Sequence, residues 1–348
     1  MSSTHDATYS GQPSPTRSTP SKGANWKEHP MSESDQKTRV SELPAQTATN
    51  PITPAQSRAR FFNSGNAFNV QLPPVPDCAF SDEPKEALAE DTPTGMIYCD
   101  ISDQLDCPFP ATSPLVLAGY ARINAGESLT TNQCASGVIA YVIAGTGTTT
   151  CGDEIVEWSS GDIMLFPGGI PQLHAAEEVN AVLWIVSNEP QVAFENLQPP
   201  APNEAPTGVV HFTRSDIEGQ IDHLIENAEE GELPGYAVVL SSEQQEASRN
   251  VLPTLTLAMN SLPGGTMQRP HRHNSVAVSL VVSGEGCYSI VDGNRKDWSA
   301  WATTVTPAVS VHSHHNSGNS RALFLIVQDG GLYYHTRAMG FEFAEHGS

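Results

Sequence analysis

The strongest constraint on this chain is that its strand-and-turn skeleton occurs twice. Gly126 stands to Asn132-Gln133-Cys134 and to Gly145-Thr146-Gly147 as Gly265 stands to His271-Arg272-His273 and Gly284-Glu285-Gly286, at a constant offset of 139 residues. Pro167 pairs with Pro307 at an offset of 140. Internal repeats fix architecture before any single motif does. A length of 348 residues leaves room for two domains plus extras. From Leu115 onward the chain runs in short apolar stretches broken by glycine, such as 137–144, 162–166 and 181–186, which is the signature of a many-stranded β domain.

The two copies differ in their polar residues. Five of the twelve histidines sit in Arg269–Asn274 and Val311–Asn316 of the second copy. Side chains on a strand alternate, so His271 and His273 share one face, and a third imidazole from a neighbouring strand completes a metal site. His271, His273 and His312 are the expected ligands. The competing interpretation is an exposed histidine-rich loop with adventitious affinity. His314, one strand step from His312, faces the same side and is expected to lie beside the ion or to act as acid or base. His315 faces the other way. The corresponding positions of the first copy are Asn132, Cys134 and Gln172, with His174 matching His314. Amides are poor transition-metal ligands beside imidazole. The first copy is therefore expected to be metal-free and to prop the second; a weak Cys134–His174 site is the rival.

At these residues the chain resembles the cupin superfamily. The first cupin motif is a glycine, five residues, His-x-His, a glutamate and a glycine; Gly265, His271, His273 and Gly284 fall on it. The second is Pro-x-Gly, two residues, His, three residues, Asn; Pro307, His312 and Asn316 fall on it. The glutamate position is occupied by Ala277 or Val278, and the glycine of the second motif by Val309. Three neutral imidazoles leave the full charge on the ion and leave coordination positions open, which suits Fe(II) with O2 and a chelating anion. Manganese, nickel and zinc are the alternatives.

Pro270–His273, Val281–Gly286, Val291–Gly293, Thr306-Pro307 and the His312-x-His314-x-Asn316 run resemble the gentisate 1,2-dioxygenase group of bicupins. The likeness spans roughly residues 60–345 and is skeleton-only in the first copy. It implies an all-β fold of two tandem cupin (double-stranded β-helix, jelly-roll) barrels. It also implies an Fe(II) dioxygenase that cleaves the ring of a small anionic, hydroxy-aromatic carboxylate, with O2 as co-substrate. In that group the working metal usually lies in the first cupin, whereas here only the second keeps the ligands. The arginine that helps hold the substrate carboxylate there falls at Ser279, which offers one neutral hydrogen bond instead of a bidentate charged pair. Asn260 and Gln268 are expected cavity-wall residues, with Arg337 or Arg269 supplying the missing positive charge. Val278, Leu280 and Val282, or their alternates, are expected to dry the barrel. Two other classes stay open: a metal-dependent lyase, isomerase or decarboxylase that needs no O2, and a non-catalytic ligand-binding bicupin.

The formal net charge of −22 argues against nucleic acid and anionic membranes as partners. The six cysteines lack CxxC spacing and read as reduced thiols. No apolar run approaches the roughly 20 residues needed to span a bilayer, nor does the N-terminus carry a signal-peptide core, so a cytoplasmic location is expected. Residues 1–58 are too polar to bury a core and read as a disordered tail. The expected domains are 59–200, a degenerate cupin, and 201–348, a linker helix plus the metal-binding cupin. Ser215-Asp216-Ile217-Glu218 reads as a capping box for a helix over roughly 215–229, with Ile217, Ile221, Leu224 and Ile225 on its apolar face. Residues 333–337 read as a short closing segment. A homodimer or tetramer paired through open sheet edges is expected.

Overall fold

The computed structural model describes residues 38–228 and 235–344. It divides into a small unit ending at Gln71 and a large unit from Leu72. Most of the expected disordered tail, residues 1–37, lies outside the described residues. Residues 38–58 correct that expectation, because they form short elements. A turn of 3-10 helix covers Val40–Glu42, strand Gln46–Thr47 pairs with Arg60–Phe61, and helix Pro54–Arg58 lies between these strands. Thr53 closes a capping box with Gln56, and Pro54 supplies a pre-set φ in the first turn. Local capping chemistry forms these elements with almost nothing buried.

The large unit is two sandwiches, each with a six-stranded sheet and a smaller one. In the first, Leu117–Ile123, Gly137–Ala144, Ile163–Pro167 and Ala181–Ser187 make the heart of the large sheet. In the second, Thr256–Leu262, Ala277–Ser283, Thr303–Thr306 and Ala322–Gln328 repeat that arrangement. The shared glycines have a conformational cause: Gly126 and Gly265 both hold φ near +70° (+74° and +71°), which a side chain disfavours.

Strand membership ignores the expected boundary near residue 200. Cys78–Phe80, from the first segment, pairs with Thr303–Val305 at the edge of the second barrel's sheet. Val210–Phe212, from the linker, pairs with Ile163–Leu165 in the first barrel. Each barrel is completed by a strand from the other's stretch of sequence. The linker helix covers Arg214–Asn227, and its cap is Thr213, whose hydroxyl accepts from the Asp216 amide, rather than Ser215. Ile217 and Ile221 are buried, while His223 is exposed and bonded to Asn227.

The two large sheets meet over one apolar core. Val278, Leu280, Leu257, Leu325 and Val327 from the second barrel join Tyr120, Ile139, Leu165 and Trp184 from the first. Each buried aliphatic chain contributes about 1.5–3 kcal/mol. Polar atoms in this core are paired across the barrels. The Tyr120 hydroxyl donates to the Trp301 carbonyl at 2.6 Å, and Trp184 Nε1 donates to Thr303 Oγ1 at 2.9 Å. Among the described residues no helix is long and apolar enough to cross a membrane.

Candidate metal centre

The smaller sheet of the second barrel builds the site. His271–His273 pairs with His312–Asn316 so that His271 sits opposite His312. On its other edge it pairs with Phe341–Phe343. This last strand, and the helix Gly330–Thr336 before it, stand where a short closing segment was expected. His271 and His273 are buried on one face while Arg272 between them points out to Glu342.

The candidate ligand atoms of His271, His273 and His312 all lie within 4.8 Å of one another. A single ion at about 2.1 Å from each would set them roughly 3.0–3.4 Å apart, so a small inward shift completes the cage. The tautomers favour this. Nδ1 of His271 donates to the Arg269 carbonyl at 2.8 Å, Nδ1 of His273 to the Ser275 carbonyl at 2.9 Å, and Nδ1 of His312 to the Ser310 carbonyl at 2.9 Å. A carbonyl can only accept, so each Nδ1 carries the proton and each Nε2 presents a lone pair. Burial keeps the rings neutral, as ligation requires. It pulls His271 below its ordinary value, His273 to about 4 and His312 to about 3, with the adjacent imidazoles adding to the effect on the last two. Among the described residues no carboxylate joins the three.

The imidazoles open on a cavity of about 500 Å³. Asn260, Gln268 and Ser279 line it, together with Thr306, Gln328 and Phe341. Gln268 Oε1 is buried without a hydrogen-bond partner among the described residues, an atom that a bound molecule could satisfy. The Gln328 amide nitrogen lies 3.2 Å from Nε2 of His273, beside the place an ion would take. Sequence reasoning missed this residue because the neighbouring strand, not the motif, delivers it. The alternates of the expected drying residues face the cavity: Ala277 and Ser279 line it, while Val278 and Leu280 point into the inter-barrel core.

The two expected arginines do not reach the cavity. Arg337 ends the helix Gly330–Thr336 in the left-handed conformation and bonds back to the His335 carbonyl on the exposed surface. Arg269 stacks 4.2 Å over the Phe343 ring. Arg249, which carries no motif, does line the cavity.

His314 is buried beside the triad, and its Nδ1 lies 2.8 Å from Ser289 Oγ. Ser289 in turn accepts from Trp298 Nε1 at 2.8 Å. Burial, then the neighbouring imidazoles, push His314 well below the ordinary histidine range. His315, by contrast, stacks on Tyr288 with centroids 4.7 Å apart. Asn316 holds the turn by donating to the Leu262 and Ser320 carbonyls. Val309, where the cupin pattern has glycine, adopts φ +61° and donates its amide to the His273 carbonyl at 2.7 Å.

The first barrel carries the same relay without a cage. Trp158 Nε1 donates to Thr149 Oγ1, which lies 2.8 Å from Nδ1 of fully buried His174. There Nε2 of His174 meets Thr131 Oγ1 at 3.1 Å, and Thr131 also bonds Gln172. Cys134 is exposed. Among the described residues only the second barrel gathers three potential ligands.

Residues 258–328, the stretch that carries the His-x-His pair, match the cupin domain family. Around that stretch the chain is similar to a more particular group. It is 34% identical over 105 residues to a gentisate 1,2-dioxygenase of Ralstonia sp, a match covering 30% of this chain and 27% of the relative. It is 22% identical over 252 residues to a 5-aminosalicylate 1,2-dioxygenase of Comamonas sp, covering 63% and 67%. The first of these matches thus spans about a quarter of the relative's length. Among solved structures, a salicylate 1,2-dioxygenase from Pseudaminobacter salicylatoxidans superposes with a TM-score of 0.66 at 14% identity, covering 77% of this chain and 87% of that one. The same enzyme's adduct with gentisate gives 0.67, covering 85% and 91%. These likenesses establish the two-barrel fold.

Proposed function

We propose that the protein is an Fe(II)-dependent ring-cleaving dioxygenase for a small hydroxy-aromatic carboxylate, with its active centre in the second barrel. The observation that carries this reading is the set of three neutral imidazoles, each oriented by a backbone carbonyl so that Nε2 is unprotonated, lining a cavity of about 500 Å³. The donor set fits a redox-active cation: three nitrogens and no carboxylate leave positions for a bidentate substrate and O2. When bound, Fe(II) would supply the one-electron steps that let O2 react with a closed-shell ring. The relatives named as gentisate and 5-aminosalicylate dioxygenases support the same chemistry.

The chain's own residues would do the rest. His271, His273 and His312 would hold the ion against the barrel wall. His314, neutral and oriented by Ser289, would accept or return the proton of the substrate hydroxyl. Asn260, Gln268 and Ser279 would orient polar groups of the substrate, while Ala277, Ile326 and Phe341 would keep water from the reacting ring. The test is anaerobic iron loading followed by O2 and a panel of gentisate, salicylate and 1-hydroxy-2-naphthoate. Oxygen should be consumed one-for-one with a substrate, and His271→Ala should abolish it. Turnover of the same panel without oxygen would replace this reading with a lyase.

A further inference from the structure

Among the described residues the cavity wall carries a single formal charge, and it is positive. Among its lining residues there is no lysine, aspartate or glutamate, and Arg249 is the one arginine. This occurs in a chain with 39 acidic residues against 17 basic ones. Elsewhere Lys85, Arg214, Arg272, Arg295, Lys296 and Arg321 are each neutralised by a carboxylate. Arg249 has no ion pair and no side-chain hydrogen bond among the described residues, although Glu243 and Glu246 share the adjoining recess of the surface with it.

Its backbone is held in place at some cost. Arg249 has φ +57°, in the left-handed region, where its amide donates to the Gln245 carbonyl at 2.8 Å. Glycine or asparagine is the unstrained choice at such a closing turn. The flank that follows it is pinned. The Asn250 carbonyl accepts from Ser241 Oγ at 2.7 Å, Asn250 Nδ2 donates to the Pro253 carbonyl, and Val251 and Leu252 are fully buried. Exposed Arg249 thus lines both this recess and the cavity that the three imidazoles also line.

We propose that Arg249 is the anion-recognition residue of the cavity, pairing with the carboxylate of an aromatic substrate and selecting acids over neutral phenols. The proposal rests on the reading of the cavity as the site for a hydroxy-aromatic carboxylate. It supplies the positive charge that the Ser279 position does not. A guanidinium suits this role because its planar fork meets a carboxylate with two parallel hydrogen bonds. Among the described lining residues no carboxylate competes for it.

The test is equilibrium binding to the full-length chain loaded with Zn(II), which is redox-silent, using gentisate and its neutral carboxamide as probes. Arg249→Gln should weaken gentisate on the order of tenfold or more and leave the carboxamide within about twofold, with zinc content unchanged. Arg249→Lys should fall between. Arg249→Gly should match Arg249→Gln in affinity yet melt at a higher temperature, since glycine relieves the left-handed strain. Gentisate binding unchanged in Arg249→Gln, or equal loss of both probes, would overturn the proposal, as would a wild-type protein that does not prefer the acid. Arg249-dependent preference for the acid in a protein that consumes no oxygen would leave this proposal standing and remove the dioxygenase reading. Oxygen consumption with an unchanged KM in Arg249→Gln would do the reverse.

Discussion

Replacing His312 by alanine should uncouple the fold's stability from metal while leaving the metal-free protein folded. His312 lies between the other two imidazoles, with ring centroids 4.3 Å from His271 and 4.8 Å from His273. It is neutral at pH 7, because burial holds it at about 3. Without metal, its removal deletes one buried ring and one hydrogen bond to the Ser310 carbonyl. With metal at a thousandfold excess over its dissociation constant, ligand linkage stabilises the native wild type by about 4 kcal/mol. The large unit has about 280 residues, so its unfolding entropy near the midpoint is roughly 0.6 kcal/mol/K, and the expected rise in Tm is about 7 °C. The assay is a thermal melt of chelated and Zn(II)-loaded protein, for wild type, His312→Ala and His315→Ala. His315 is on the same strand but stacks on Tyr288 away from the cavity, so its variant should keep the full shift. Wild-type protein with no metal-dependent shift, or a His312→Ala protein that retains one of equal size, would refute the cage.

Three further outcomes follow from particular contacts. Ser289→Ala strands Trp298 Nε1 and His314 Nδ1, costing about 1–3 kcal/mol in denaturant melts and lowering kcat with metal content intact; Ser289→Thr should be near-silent, since Thr149 already does this in the first barrel. Asp329 is buried and accepts only the Val276 amide, so desolvation raises its carboxyl to about 6 from 3.8. Its folded form holds the proton more tightly than the unfolded chain, so wild-type stability is full below about 4 and falls as pH rises through 6. Asp329→Asn should therefore gain up to about 3 kcal/mol at pH 7–8 and nothing at pH 3.5, read from urea melts. Val309→Gly removes a β-branched residue from φ +61° and should stabilise by about 1–2 kcal/mol while keeping the amide bond to the His273 carbonyl.

The sequence made the repeat legible because the features that generate it are local. Glycines at φ near +70° and alternating apolar strands leave a mark on the chain itself, and so do two imidazoles one residue apart. What the sequence concealed was delivered by pairing. Gln328 comes to His273 because Ala322–Gln328 lies beside Ala277–Ser283, and no spacing encodes that. The exchange of Cys78–Phe80 and Val210–Phe212 between the barrels was hidden for the same reason: strands of three residues carry no period long enough to assign a partner. The closing strand Phe341–Phe343 is likewise three residues long, too short for its Phe-Glu-Phe alternation to name a partner. Arginine is the residue type for which sequence position says least. A surface turn claims Arg337 and an aromatic ring claims Arg269, the one nearest the motif, while Arg249 lines the cavity from a loop without pattern.

The two barrels also separate what the fold requires from what the chemistry requires. The tryptophan–hydroxyl–histidine relay is present in both, so it orients a buried imidazole whether or not a cation is near. In the first barrel the relay's far end closes on Thr131, and His174 has both ring nitrogens occupied. In the second, His314 makes its one hydrogen bond through Nδ1, and the ring borders the cavity. The difference between an interior that gathers three imidazoles and one that does not lies at matching positions of the two copies. Asn132, Cys134 and Gln172 stand in one copy and His271, His273 and His312 in the other, on the same backbone. A hydroxyl satisfies Nε2 of His174 in the first barrel, whereas among the described residues none meets Nε2 of His314, which is the arrangement the proposed proton transfer requires.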